Sequence, residues 1–75
     1  MPFIRVELDT TPERAKKFHQ RVQAGAPFTR EKHQALDDAW SQGRTPTGVV
    51  HYRGVSNTHP PTLKFDVEVS LEIEH

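Results

Sequence analysis

Near its end the chain reads Phe65-Asp66-Val67-Glu68-Val69-Ser70-Leu71-Glu72-Ile73-Glu74, so that five apolar side chains alternate with five polar ones. Successive side chains of a β-strand point to opposite faces, and this alternation predicts a strand with one apolar face and one acidic face. The strand begins near Thr62 and is about twice as long as the usual five or six residues. We expect it to contact a second chain through its apolar face, which carries Phe65, Val67, Val69, Leu71 and Ile73.

The length and composition favour a small domain that needs reinforcement. Of the 75 residues 33% are hydrophobic and none is cysteine. A domain of this size buries only about 60% of the surface that its unfolded chain exposes. Without cysteine it has neither a disulfide nor a thiolate metal site, so assembly with itself or with another protein is the reinforcement that remains. No apolar run is long enough to span a membrane or to form a signal peptide, and we expect a soluble, cytoplasmic protein.

The remaining patterns predict a single α+β domain over residues 1–75. Alternation over residues 3–8 predicts a first strand. A helix follows over residues 10–23, with Thr10 and Glu13 as a capping box, and a second helix begins with Thr29 as its N-cap and ends at Gly43. Residues 49–53 predict a short strand that forms a hairpin with the C-terminal one. The expected architecture is a two-layer β-α-α-β-β fold with a three-stranded, largely antiparallel sheet and both helices on one face. The strand order stays open.

The charges are unevenly distributed although the formal net charge is zero. Residues 10–33 carry a net charge of +4 and residues 54–75 a net charge of −3. Arg14, Lys17 and Arg21 fall together beside the apolar face of the first helix, whereas Lys16 points elsewhere. Such a stripe is typical of a solvated helix face, but three aligned cations also suit the phosphates of a nucleic acid or an acidic protein surface.

The first residues resemble a family of enzymes. Met1 is commonly removed before a small residue, and Pro2 then leads directly into the first strand and a helix. This opening resembles the start of the tautomerase superfamily, in which an N-terminal proline shuttles protons between the carbon and oxygen of keto and enol acids. The resemblance implies that Pro2 is the catalytic base and that Arg5 holds the substrate carboxylate. The chain departs from the family where residues 25–27 interrupt the long helix.

A loop flanked by polar and aromatic residues is the other candidate binding surface. His51, Tyr52, Arg53 and His59 lie on either side of the connection between the last two strands, and loops on a rigid scaffold commonly hold binding residues. The five histidines of the chain offer no pair at the spacing typical of zinc sites, so we expect no metal. Trp40 shares a helix face with Leu36 and Ala39, which predicts that it fills the core.

These patterns favour a binding protein and not an enzyme, because no catalytic constellation is present. We predict a small protein-binding module, acting as an inhibitor, adaptor or regulator, that needs no cofactor. We expect it to form a dimer or higher homo-oligomer through its C-terminal strand, since exposed strands recruit partners by strand addition. The alternatives are a tautomerase-like enzyme that uses Pro2 and a nucleic-acid-binding regulator that uses the basic stripe.

Overall fold

The fold is the predicted α+β arrangement, seen in a computed structural model that describes residues 2–71. Its elements follow in the order β1 Phe3–Asp9, α1 Pro12–Gln23, α2 Thr29–Ser41, β2 Pro46–Val55 and β3 Thr62–Val69. The sheet has the strand order β1-β3-β2, and β3 runs antiparallel to both neighbours. The hairpin of the last two strands is therefore confirmed, and the C-terminal strand lies in the middle of the sheet.

The central position of β3 corrects the expectation that its apolar face meets a second chain. Phe65, Val67 and Val69 are 0% exposed within the single chain. They pack in one core with residues of the neighbouring strand and of both helices, among them Val6, Phe18, Ala35 and Ala39. Because both edges of β3 are paired and its apolar face is covered, these side chains are unavailable to another molecule.

The end of β3 also departs from the prediction. The strand ends at Val69 and does not include Leu71, which is 73% exposed. Ser70 N donates a hydrogen bond to Thr45 O at 2.8 Å, just beyond the last strand residue. The predicted interface residue Ile73 and the proposed continuation of the strand to residue 74 lie outside the described residues.

Four aromatic rings form the centre of the core. Phe65 projects from the central strand, and its ring centroid lies 5.6 Å from that of Tyr52, 5.9 Å from that of Phe28 and 6.1 Å from that of Phe18. Phe18 meets Tyr52 edge-on at 5.1 Å, an arrangement that adds about 0.5–1.5 kcal/mol per pair to the burial itself. The cluster joins α1, the start of α2 and the sheet, and so sets where the helices lie.

Both helices begin differently from the prediction. Thr11, and not Thr10, is the N-cap of α1, because its Oγ1 accepts a hydrogen bond from the Arg14 N–H at 3.3 Å. Pro12 then occupies the first helical position, where a missing N–H is no loss. In α2 the predicted cap Thr29 is itself helical, and the preceding Phe28 supplies no side-chain hydrogen bond. The first N–H groups of α2 are thus left without a side-chain acceptor.

Trp40 is not a core residue, since it is 59% exposed. Ala35 and Ala39 are the α2 residues that are fully buried. Their spacing of four residues places both on the same side of the helix, and Trp40 lies one residue, or about 100°, further round. Two small side chains let the helix approach the sheet closely, which leaves no room for an indole at that interface.

Strand β2 is longer than the predicted residues 49–53. It spans ten residues and its register with β3 shifts twice, between Pro46 and Val50 and between Tyr52 and Gly54. Such irregularities bend a strand and re-aim its side chains. They explain why simple alternation over the sequence captured only the middle of the strand.

Candidate functional site

The structure divides the predicted binding residues among three places. Arg14, Lys17 and Arg21 line a cleft on one side of α1. His59 lines a second cavity on the other side of α1, which His19 also lines. The ring of His19 forms a hydrogen bond with the hydroxyl of Tyr52. The remaining two residues, His51 and Arg53, project from the face of the sheet that carries no helix.

The basic cleft is the best-formed concentration of charge. It has a volume of about 430 Å³ and is bounded by the end of β1, one side of α1 and the start of α2. The spacing of Arg14, Lys17 and Arg21 by three and four residues places them along one side of α1. Both ion pairs that form within residues 2–71 belong to Asp66, so none of these three cations is neutralised by a described carboxylate.

A fourth cation, Arg30, faces the same cleft from the first turn of α2. The uncapped N-terminus of this 13-residue helix adds the positive end of its dipole, which favours a negative group nearby. Sequence reasoning missed Arg30 as a site residue. Its charge contributed to the excess of positive charge over residues 10–33. Only the packing of α2 against the rest of the fold brings it to the basic stripe on α1.

The cleft also contains apolar and acidic groups. Leu8, Phe18 and Leu63 line it from the sheet and α1. Asp9 lines it from the end of β1, and Glu31 from the first turn of α2. Counted formally, the lining side chains carry a net charge of +2. Such a site can accept carboxylates on its cations and can offer its own two carboxylates to N–H donors.

The open face of the sheet is organised around Asp66. Its Oδ2 accepts a hydrogen bond from Arg53 Nε at 2.6 Å and its Oδ1 accepts one from Arg5 Nε at 3.0 Å. The hydrogen bond from Arg53 is the main reason that the pKa of Asp66 lies below its ordinary value, with that from Arg5 adding to it. The charge of Asp66 is therefore compensated within the sheet, and Arg53 has a structural partner. His51 stacks at a tilt on Phe3, 5.6 Å between ring centroids.

Tyr52 points to the other side of the sheet, where it contacts α1. Its hydroxyl lies 2.8 Å from His19 Nδ1. Burial raises the pKa of Tyr52, so the phenol stays protonated near neutral pH. Sequence reasoning did not single out His19, because its partner lies 33 residues away in the chain. The nearest signal was the position of His19 four residues after Ala15, on the helix face that turns toward β2.

The residues implied by the tautomerase resemblance are not arranged as that chemistry requires. Pro2 is partly buried and its carbonyl accepts a hydrogen bond from Val69 N at 3.0 Å. Arg5 is engaged by Asp66 on the open face. Neither residue lines either of the two cavities described here. Within residues 2–71, these two cavities therefore do not bring Pro2 and Arg5 together.

Among residues 2–71, no three histidine or acidic side chains converge in a way that would hold a metal ion. None of the helices in this part of the chain is both long enough and apolar enough to cross a bilayer.

Comparison with known proteins gives no relative. The chain matches no protein-family model, no curated protein and no solved structure.

Proposed function

We propose that this chain is a non-enzymatic protein-binding module whose basic cleft receives an acidic segment of a partner protein. The observation that carries the proposal is the convergence of Arg14, Lys17, Arg21 and Arg30 on one cleft, with no carboxylate among residues 2–71 paired to any of them. The two carboxylates of the cleft offset only half of these four positive charges, and a bound anionic segment relieves the repulsion that remains. A role as an inhibitor, adaptor or regulator agrees with such a site.

An acidic peptide fits the cleft better than a nucleic acid does. Asp9 and Glu31 line the same cleft and would repel a continuous phosphate backbone, whereas they can accept hydrogen bonds from peptide N–H groups. The aromatic residue of the cleft, Phe18, is buried and offers no face on which a base could stack. The formal net charge of the whole chain is zero, so long-range attraction to a polyanion is weak.

A pair of neighbouring lysines provides the matched variants for a test. Lys17 lines the basic cleft and Lys16 lines the cavity on the opposite side of α1. The probe is a fluorescent decapeptide rich in glutamate, and the measurement is its anisotropy at two salt concentrations. We expect Lys17→Gln to weaken binding about 2- to 5-fold, the effect of one exposed ion contact, and Lys16→Gln to leave it unchanged.

The same titration with single-stranded DNA separates the two classes of partner. Tighter binding of DNA than of the peptide, with a steeper salt dependence, would favour the hypothesis that the cleft binds a nucleic acid. Equal losses from Lys16→Gln and Lys17→Gln would show that only the overall charge matters and would refute a defined site.

We also propose that the chain self-associates, at the open face of the sheet and not at the covered face of β3. Phe3 and Val49 project from that face and are 45% and 41% exposed. They lie on the two outer strands, so a second copy seated across this face would cover both side chains. Light scattering across a dilution series should show a dimer or larger assembly that Phe3→Ser together with Val49→Ser dissociates. A mass unaffected by the two changes would exclude this surface.

A further inference from the structure

We propose that the cavity on the other side of α1 binds a small carboxylic acid with an apolar body. This cavity, termed the histidine pocket, has a volume of about 640 Å³ and is lined by one face of α1 and by the connection between β2 and β3. That volume lies within the range of about 300–1,000 Å³ that is usual for small-molecule sites. It shares no lining residue with the basic cleft, so the two proposals stand independently.

The apolar part of the histidine pocket would receive the body of the ligand. Pro12, Ala15, Val55 and Pro61 line it, and Ala15 and Pro61 are buried. Pro12, Ala15 and His19 recur at helical spacing, so that α1 presents a continuous wall. Removing apolar ligand surface from water against such a wall contributes roughly 25 cal/mol per Å².

The opposite wall is held in place by its own hydrogen bonds. Thr62 N donates to Ser56 Oγ at 2.8 Å, and Thr58 Oγ1 donates to Pro60 O at 2.9 Å. Ser56 Oγ and Thr58 Oγ1 lie 2.7 Å apart. Because the hydroxyl hydrogen of Thr58 is already used, Ser56 must donate in this last contact. The relay fixes the shape of the loop before any ligand binds, which lowers the entropic cost of binding.

The charged groups of the histidine pocket select an anion. Its lining contains Lys16, His19 and His59 but no aspartate or glutamate. Nδ1 of His19 is engaged by the Tyr52 hydroxyl at 2.8 Å, so Nε2 is the ring nitrogen that remains for a ligand. The pocket therefore offers one ammonium group and two imidazole rings without a carboxylate beside them, a set that suits a singly charged carboxylate.

The test uses 4-phenylbutanoate as the probe and its uncharged amide as the matched ligand. Two-dimensional ¹H–¹⁵N NMR of the full chain should show shifts confined to the α1 face with Lys16 and His19 and to residues 56–61. We expect Lys16→Met, which keeps the apolar stem, to weaken binding about 3- to 10-fold. The amide should bind the unchanged protein more weakly than 4-phenylbutanoate does, by a similar factor. Lys32→Met, at an exposed lysine that lines neither cavity, should change nothing.

Three results would overturn the proposal. Equal binding of the acid and the amide would remove the anionic selectivity. Shifts around Arg14, Lys17 and Arg21 would assign the ligand to the basic cleft. The absence of localised shifts at about 10 mM probe would place any affinity below the range that a specific pocket provides. Because Lys16 is exposed, we expect Lys16→Met to keep its fold. A well-dispersed spectrum of this variant checks that expectation.

Discussion

Asp66 is the residue on which the charges of the open sheet face depend. Two arginines from the flanking strands, Arg5 and Arg53, donate to its two oxygens, so a single carboxylate ties all three strands together. Both arginine side chains are about half exposed, and solvent therefore screens much of the attraction. The pairing contributes to stability while Asp66 is ionised, and it disappears when the carboxylate is protonated.

This pairing predicts a defined dependence of stability on pH. The pKa of Asp66 is lowered in the folded chain, so its contribution is present above the unfolded value of about 3.9 and is lost as the pH falls through the lower folded value. We expect Asp66→Asn to reduce the free energy of unfolding by about 1 kcal/mol at pH 7 and to have a smaller effect at pH 2. Urea denaturation at the two pH values measures both. An equal loss at the two pH values would contradict the ionic origin.

Phe65 is the residue on which the packing of the covered sheet face depends. It is fully buried and contacts three other aromatic rings. We expect Phe65→Leu to cost about 1–2 kcal/mol, because the smaller side chain leaves part of the ring volume empty. The same change at the half-exposed Phe3 should cost less than about 0.5 kcal/mol. Thermal denaturation compares the two, and equal costs would mean that the aromatic cluster does not organise the core.

At the scale of elements, both helices end with the same device. Gly25 and Gly43 have φ of +90° and +77°. In each case the N–H of the glycine and that of the following residue bond carbonyls in the last turn: Gly25 to Val22, Ala26 to Arg21, Gly43 to Trp40 and Arg44 to Ala39. These are paired Schellman bonds, which need a residue that tolerates a positive φ. The sequence predicted that α2 ends at Gly43, and the predicted end of α1 at residue 23 lies two residues before Gly25.

Gly25, at the C-terminal end of α1, allows the free-energy cost of a positive φ in a residue with a side chain to be measured by itself. A Cβ added at Gly25 would meet no atom within 4 Å, so a substitution there creates strain without a clash. We expect Gly25→Ala to lower the free energy of unfolding by about 1 kcal/mol and Gly25→Asn by less, since asparagine adopts a positive φ more readily. Chemical denaturation gives both values. A loss from asparagine as large as that from alanine would argue against a backbone origin.

Strand β3 and Trp40 show which part of the packing is encoded in the local sequence pattern and which is not. Alternation correctly identified β3 because it records that one face is buried. It does not record which chain covers that face, and here α1 and α2 do so. Trp40 was misplaced because size and hydrophobicity favour an indole in a core, whereas close helix–sheet packing selected Ala35 and Ala39. Both errors concern contacts between distant elements, on which local periodicity is silent.

Across the whole molecule, α1 separates two binding surfaces of different chemistry. Its neighbouring residues Lys16 and Lys17 face opposite sides, one toward the histidine pocket and the other toward the basic cleft. The helical period alone predicted that they diverge. The addition of Arg30 to the cleft and of residues 56–59 to the pocket required the tertiary fold, because these groups are brought to α1 from elsewhere in the chain.

The measurement that tests the central claim most directly is an NMR titration of the ¹⁵N-labelled chain with the glutamate-rich decapeptide. We predict that the largest shifts belong to Arg14, Lys17, Arg21 and Arg30, that they weaken with added salt, and that Lys17→Gln but not Lys16→Gln reduces the affinity. Shifts centred on the histidine pocket or on the open sheet face, or none around these four residues, would contradict an acidic partner in the basic cleft.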